Sequence, residues 1–240
     1  MVDSVTLVLF PGMAADSRIF APQRALPFPV LTPDWPPPEA GEDLPAYARR
    51  VATGIDWPAR FVVGGVSFGG MVAAELAAAT AAGATEPAPM PRPMGLILIA
   101  SSLTGRSVPG TYRFVNALTR AVPDQFFSFG AGFSRQFLSV FGHLGDDDRT
   151  LMADMLRKTS VGDIRRWADM IMHWQGPGPI DCPRLWIHGD RDLVIPLDQI
   201  RQAGHEPEVI IPGGSHLMSY TDAERVNEPI ERFVRGLAGG

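Results

Sequence analysis

The run Phe61-Val62-Val63-Gly64-Gly65-Val66-Ser67-Phe68-Gly69-Gly70 constrains this chain more than any other segment. Its apolar start suits a strand buried on both faces. The glycines then let the backbone turn sharply. An alanine-rich stretch follows, from about Met71 to Ala82, and reads as a helix with Gly83 as its C-cap. Strand, tight turn and helix in this order belong to a sheet covered by helices. Other segments repeat the alternation. Val5 to Phe10, closed by Pro11-Gly12, and Leu96 to Ala100 read as buried strands. Val30-Leu31-Thr32 reads as a short strand, and Arg184 to His188 and Glu208 to Ile211 as two more. Leu44, Tyr47, Ala48, Val51 and Ile55 recur at helical spacing, and a last helix is expected from about Thr221 to Leu237. The fold class read from this pattern is α/β, with a mostly parallel central sheet flanked by helices.

The middle of the chain changes character. From about Thr104 to Pro179 no strand is recognisable, but helical patterns recur. Leu151, Met152, Met155 and Leu156 follow Asp146-Asp147-Asp148, and Ile164, Trp167, Ile171 and Trp174 share one helical face. Residues 104–179 are therefore expected to form a helical cap inserted into a core made of residues 1–103 and 180–240. Such an insertion sits above the carboxyl ends of the strands, where α/β sheets keep their sites.

Chemistry that needs concentrated cations is disfavoured. The net charge is -5 over 240 residues, so neither nucleic acid nor an anionic membrane is expected as the main partner. The one cysteine, Cys182, leaves no intramolecular disulfide. Met1 to Phe10 lacks a basic n-region and is too short to span a bilayer. A cytoplasmic location is expected.

Gly65-Val66-Ser67-Phe68-Gly69 fits G-x-S-x-G. A serine on a sharp strand-to-helix turn exposes its hydroxyl, and small neighbours two residues away let the backbone pass. Alone, the pentapeptide also fits a glycine-rich turn that binds phosphate. A serine needs a base. Among the five histidines, His216 lies in Pro212-Gly213-Gly214-Ser215-His216, just after a strand, where a loop can carry it over a serine. His143, His173 and His205 are assigned surface roles. The base needs an acid to fix its tautomer. Asp192, in Gly189-Asp190-Arg191-Asp192, is chosen, with Asp190 as the rival that a turn could explain. The order is Ser67, Asp192, His216. Two backbone donors are needed for an oxyanion. Phe68 N–H is one, and Met13 N–H, after Pro11-Gly12, is chosen as the second, although Pro11-Gly12 also fits a simple turn.

At these residues the sequence resembles the α/β-hydrolase superfamily. The resemblance rests on Phe10-Pro11-Gly12-Met13, Gly65 to Gly70, Ile187 to Pro196 and Gly213 to His216. It implies that Asp192 rather than Asp190 supplies the acid, and that the middle segment is the family's helical cap. Pro11 stands where many members have histidine. A serine at the elbow, in place of aspartate, sets the chain apart from dehalogenase and epoxide-hydrolase branches.

The implied reaction is acyl transfer to water through an acyl-serine, with no metal or cofactor. Asp146 to Asp148 are read as a solvated helix start, where carboxylates complement the dipole. Trp167 and Leu217 are candidate pocket residues, and the cap phenylalanines from Phe126 to Phe141 could add apolar surface. The expected substrate is a small, largely apolar carboxylic ester. Alternatives are a thioester, a lyase or C–C hydrolase reaction, and a non-catalytic ligand-binding role.

Overall fold

The computed structural model describes residues 5–81, 88–109 and 144–239. Among them six strands form one sheet: β1 (Thr6–Phe10), β2 (Val30–Leu31), β3 (Phe61–Val66), β4 (Leu96–Ile99), β5 (Arg184–Gly189) and β6 (Val209–Ile211). Every neighbouring pair is parallel, in the order β2-β1-β3-β4-β5-β6. The helices are α1 (Leu44–Thr53), α2 (Phe68–Ala79), α3 (Asp146–Arg157), α4 (Val161–His173), α5 (Leu197–Gln202), α6 (Met218–Thr221) and α7 (Ala223–Ala238). The α/β sheet read from the sequence is the one observed.

Burial on both faces explains the unbroken apolar strands. Leu7, Val8, Leu9 and Phe10 are all fully buried, as are Leu96 to Ile99. Successive side chains alternate between faces. Val8 and Phe10 join a cluster with α1 and α2, whereas Leu7 and Leu9 join one with Val226, Ile230 and Val234 of α7. α2 is covered along most of its length, which is why its residues are apolar all round. Each fully buried Leu, Val or Met side chain contributes about 1.5–3 kcal/mol.

Some boundaries move. β3 runs through both glycines to Val66. Gly64 and Gly65 pair with Leu9 and Phe10 of β1, and a Cβ on Gly64 would lie 2.5 Å from Ile97 O. The glycines thus serve close packing inside the strand as well as the turn. α2 ends at Ala79, where the Thr80 hydroxyl donates to Ala77 O at 2.9 Å. That is short of the expected Ala82, and Gly83 lies outside the described residues. α5, after Pro196, has no counterpart in the sequence pattern, because six residues are too few to show a period.

Between β4 and β5 the described residues form helices only. Residues 110–143, with Phe126 to Phe141 and His143, lie outside them. α4 is tied to the core at both chain and side-chain level. Gly105 N–H donates to Trp174 O at 3.1 Å, and Trp174 Nε1–H donates to Glu75 of α2. α3 is tied to the N-terminal segment, where Arg18 donates to Asp154 Oδ2 at 2.8 Å. Asp146 to Asp148 stand in the first turn of α3.

Burial raises the Glu75 pKa, and the Trp174 hydrogen bond opposes it only in part. A carboxyl raised on folding favours the fold at low pH, and that contribution is lost as pH rises through the folded value. Glu75→Gln keeps an acceptor for Trp174 and removes the charge. Its melting temperature should therefore exceed the parent's at pH 8, with the gap narrowing toward about pH 4.5. A gap that does not change with pH in thermal melts would contradict this account.

Candidate active site

The strand order reverses direction between β1 and β3, and the loops leaving these two strands face each other at their carboxyl ends. That is where open α/β sheets place ligands. Ser67 follows β3 at φ 54° and ψ -121°, a backbone conformation rare outside glycine. The turn is held on both sides. Ser67 N–H donates to Ile99 O at 2.9 Å, and Ser101 Oγ–H donates to Ser67 O at 2.7 Å. Gly69 permits the sharp bend, since a Cβ there would lie 2.2 Å from Phe10 O. The other non-glycine residues with positive φ among those described are Ala14 and Ala100, after β1 and β4. Strained backbone thus gathers at one end of the sheet.

Asp192 and His216 come from the loops after β5 and β6. These loops are clamped together. Asp190 N–H donates to Ile211 O at 3.3 Å and Arg191 N–H to Gly214 O at 3.0 Å. Asp190 Oδ1 accepts from Gly213 N–H at 2.6 Å. Asp190 therefore faces the turn before His216, while Asp192 faces His216 itself. Asp192 Oδ1 accepts from the N–H groups of Val194 and Ile195 at 2.8 and 2.9 Å. Its Oδ2 accepts from His216 Nδ1 at 2.7 Å. A carboxylate oxygen accepts, so the imidazole proton sits on Nδ1. Nε2 is left with its lone pair, 3.0 Å from Ser67 Oγ. Asp192 and His216 are each 3% exposed, so bulk water hardly competes for these bonds.

A model described as the alpha/beta hydrolase family matches residues 7–228. The chain belongs to the alpha/beta hydrolase family. A pimeloyl-[acyl-carrier protein] methyl ester esterase of Xanthomonas axonopodis pv. citri is 27% identical, across 95% of this chain and 94% of that protein. A Synechocystis sp. protein bearing a non-heme chloroperoxidase name is 36% identical over 61 residues, which cover 23% of this chain and 22% of that one. Among solved structures, a bromoperoxidase from Bacillus anthracis superposes with a TM-score of 0.74 at 18% identity, covering 97% of this chain and 92% of that one. A thermophilic esterase from Thermogutta terrifontis gives 0.69 at 17% identity, covering 98% and 90%.

In this alpha/beta hydrolase Phe68, one of the two residues chosen as oxyanion donors, follows Ser67 directly, and Met13, the other, follows Gly12. Phe68 opens α2, where the first backbone N–H groups have no intrahelical partner. Met13 lies in a turn closed by Ala15 N–H donating to Gly12 O at 3.1 Å, with Ala14 at φ 60°. A positive φ at the third position is the mark of a type II turn. Gly12 lies close by, since a Cβ on it would be 3.7 Å from Ser67 Cβ.

Trp167 and Leu217, the candidate pocket residues, fall in different core clusters. Trp167 is buried in α4, with ring centroids 5.9 Å from Phe68, 6.3 Å from Tyr47 and 6.4 Å from Trp35. It also lines a cavity of about 270 Å³ with Pro11, Ala14, Trp35, Met155 and Lys158. Leu217, next to His216, is buried in a second core cluster with Leu185, Ile187 and Met218.

Two features go beyond the sequence reading. The Pro33 to Pro38 segment delivers Trp35, whose ring is 5.6 Å from Phe10 and 5.3 Å from Phe68, and whose Nε1–H donates to Gly12 O at 3.3 Å. His188 of β5 stands directly beneath the Asp192 loop. Its position two residues before Asp190, on a strand buried on both faces, is the signal that could have found it. His173 and His205 lie elsewhere: His173 Nδ1 donates to Asp169 O at 2.8 Å, and the His205 ring is 6.0 Å from Trp186.

Among the described residues no group of His, Cys, Asp and Glu is placed to hold a metal ion. No helix among them is long and apolar enough to cross a membrane.

Proposed function

We propose that this chain is a serine esterase that hydrolyses a small, largely apolar carboxylic ester through an acyl-enzyme. One observation carries the reading: Ser67 Oγ, His216 and Asp192 form a continuous hydrogen-bonded chain, with the proton on the imidazole nitrogen that faces the acid. Ser67 is the nucleophile. Its hydroxyl proton passes to His216 Nε2 as Oγ bonds to the ester carbonyl carbon, and the C=O electron pair moves to oxygen. The N–H groups of Phe68 and Met13 hold that oxyanion, aided by the positive end of α2. As the tetrahedral centre collapses, His216 returns the proton to the departing alkoxide. Water then repeats the sequence on the acyl-serine, with His216 as base. Asp192 holds the ring and stabilises the imidazolium that forms twice per cycle.

Trp35 and Trp167, which line the cavity beside Pro11 and Ala14, support a largely apolar substrate. The relative named as a methyl ester esterase supports an oxygen ester. The core and cap boundaries at residues 103/104 and 179/180 belong to the same proposal, as does a small-molecule partner.

A panel of p-nitrophenyl esters and acyl-CoA thioesters of graded chain length tests the reading. Oxygen esters should give the higher kcat/KM. Consistent preference for thioesters would move the assignment to a thioesterase. Hydrolysis should also fall as pH drops from about 8 to 5, because an imidazolium has no lone pair for the serine proton. A flat profile with chemistry rate-limiting would remove His216 as the base. A folded protein that a fluorophosphonate does not label at Ser67 would leave the non-catalytic reading.

A further inference from the structure

His188 is fully buried in β5, and its ring lies 6.5 Å from Trp186 in an edge-on arrangement. Its Nε2 is 2.8 Å from Ile195 O. A carbonyl only accepts, so Nε2 bears the ring proton. Nδ1 has no hydrogen-bond partner among the described residues, which leaves no place for a second proton. Burial, the largest influence, pushes the His188 pKa down, and the Asp192 charge opposes it. The ring is therefore neutral at neutral pH, with one N–H of fixed direction. The titratable groups acting on it are Asp192 and His216.

That N–H does more than pair one carbonyl. Ile195 N–H donates to Asp192 Oδ1, so the residue whose carbonyl His188 grips is the one whose amide grips the acid. His188 Nε2 also lies 3.5 Å from Asp192 Oδ2, the oxygen that receives His216 Nδ1–H. This is too long for a strong hydrogen bond, but it brings the carboxylate close to the N–H end of the imidazole. Oδ1 thus faces two backbone amides and Oδ2 faces two imidazoles.

We propose that His188 is a positioning residue: its Nε2–H pins Ile195 and so holds the Asp192 carboxylate in line with His216. The proposal rests on reading Ser67, His216 and Asp192 as the catalytic groups. Glutamine can place its amide nitrogen near the position of Nε2, whereas asparagine reaches only the position of Nδ1 and leucine has no donor.

The test compares His188→Gln, His188→Asn and His188→Leu, with p-nitrophenyl ester turnover normalised to sites titrated by a fluorophosphonate. Misfolded protein then drops out of the comparison. His188→Leu and His188→Asn should lower kcat per titrated site by roughly tenfold or more, as small misplacements of catalytic groups do. KM should stay nearly unchanged. The acid limb of the kcat/KM profile should move to lower pH, because a less well held carboxylate stabilises the imidazolium less. His188→Gln should recover most of the loss. Wild-type kcat and an unmoved acid limb in the leucine or asparagine variant would overturn the proposal, as would a glutamine variant as impaired as leucine. If the parent protein neither labels nor hydrolyses any ester, the esterase reading fails on its own. The downfield proton resonance of His216 Nδ1–H still decides His188 in that case. It should shift or broaden in His188→Leu and return in His188→Gln, and an unshifted resonance in His188→Leu overturns the proposal.

Discussion

Ser67→Ala is expected to lower ester hydrolysis by roughly four to six orders of magnitude while leaving the fold intact. The loss is large because no other group takes over bond formation to the carbonyl carbon. The fold should survive because the elbow is held through its backbone. Ser67 N–H and C=O are bonded to Ile99 and Ser101, and alanine keeps both. The positive φ is no more strained for alanine than for serine, since each carries one Cβ. Steady-state kinetics, intact-mass labelling with a fluorophosphonate and a thermal melt check the three parts. Near-parental turnover in the alanine variant would refute Ser67 as the nucleophile.

Asp192→Asn should lower kcat by about 10⁴-fold, whereas Asp190→Asn should stay within about tenfold of the parent. The difference follows from what each carboxylate faces. The N–H groups of Val194 and Ile195 both require an oxygen at the Oδ1 position of residue 192. An asparagine there must turn its NH₂ toward His216 Nδ1. That donor forces the ring proton onto Nε2, where it blocks transfer from Ser67 Oγ. Asp190 has a different task, because its Oδ1 accepts from Gly213 N–H and an asparagine oxygen can do the same. Activity per titrated site ranks the two variants, and the reverse order would show that the acid had been misassigned.

Ser67, Asp192 and His216 are picked out from the amino-acid sequence as candidates, with Asp190 as the rival acid. The elbow is local covalent geometry: a serine at positive φ needs small neighbours, and Gly65 and Gly69 flank it in sequence. Buried parallel strands declare themselves as unbroken apolar runs, so five of the six strands read to within about a residue at both ends. β3 hides its end, because Gly64 and Gly65 read as turn yet pair with β1. α5 and the early end of α2 escape the sequence reading because short helices and single capping hydroxyls leave little period to read.

Local spacing and burial periodicity are enough to specify the sheet, the elbow and the chain order of the candidate catalytic residues. The strands and the elbow each depend on residues close together in the chain. Asp190 and Asp192 lie on one loop and differ in the distant group each faces, so it takes the folded chain to tell their surroundings apart. The fold also sets Trp35 against Phe68 and His188 beneath the acid. Trp35 and Phe68 are far apart in the chain, so no short window contains both, and for His188 and Asp192, four residues apart, it is the fold of the loop that turns the acid back over the strand.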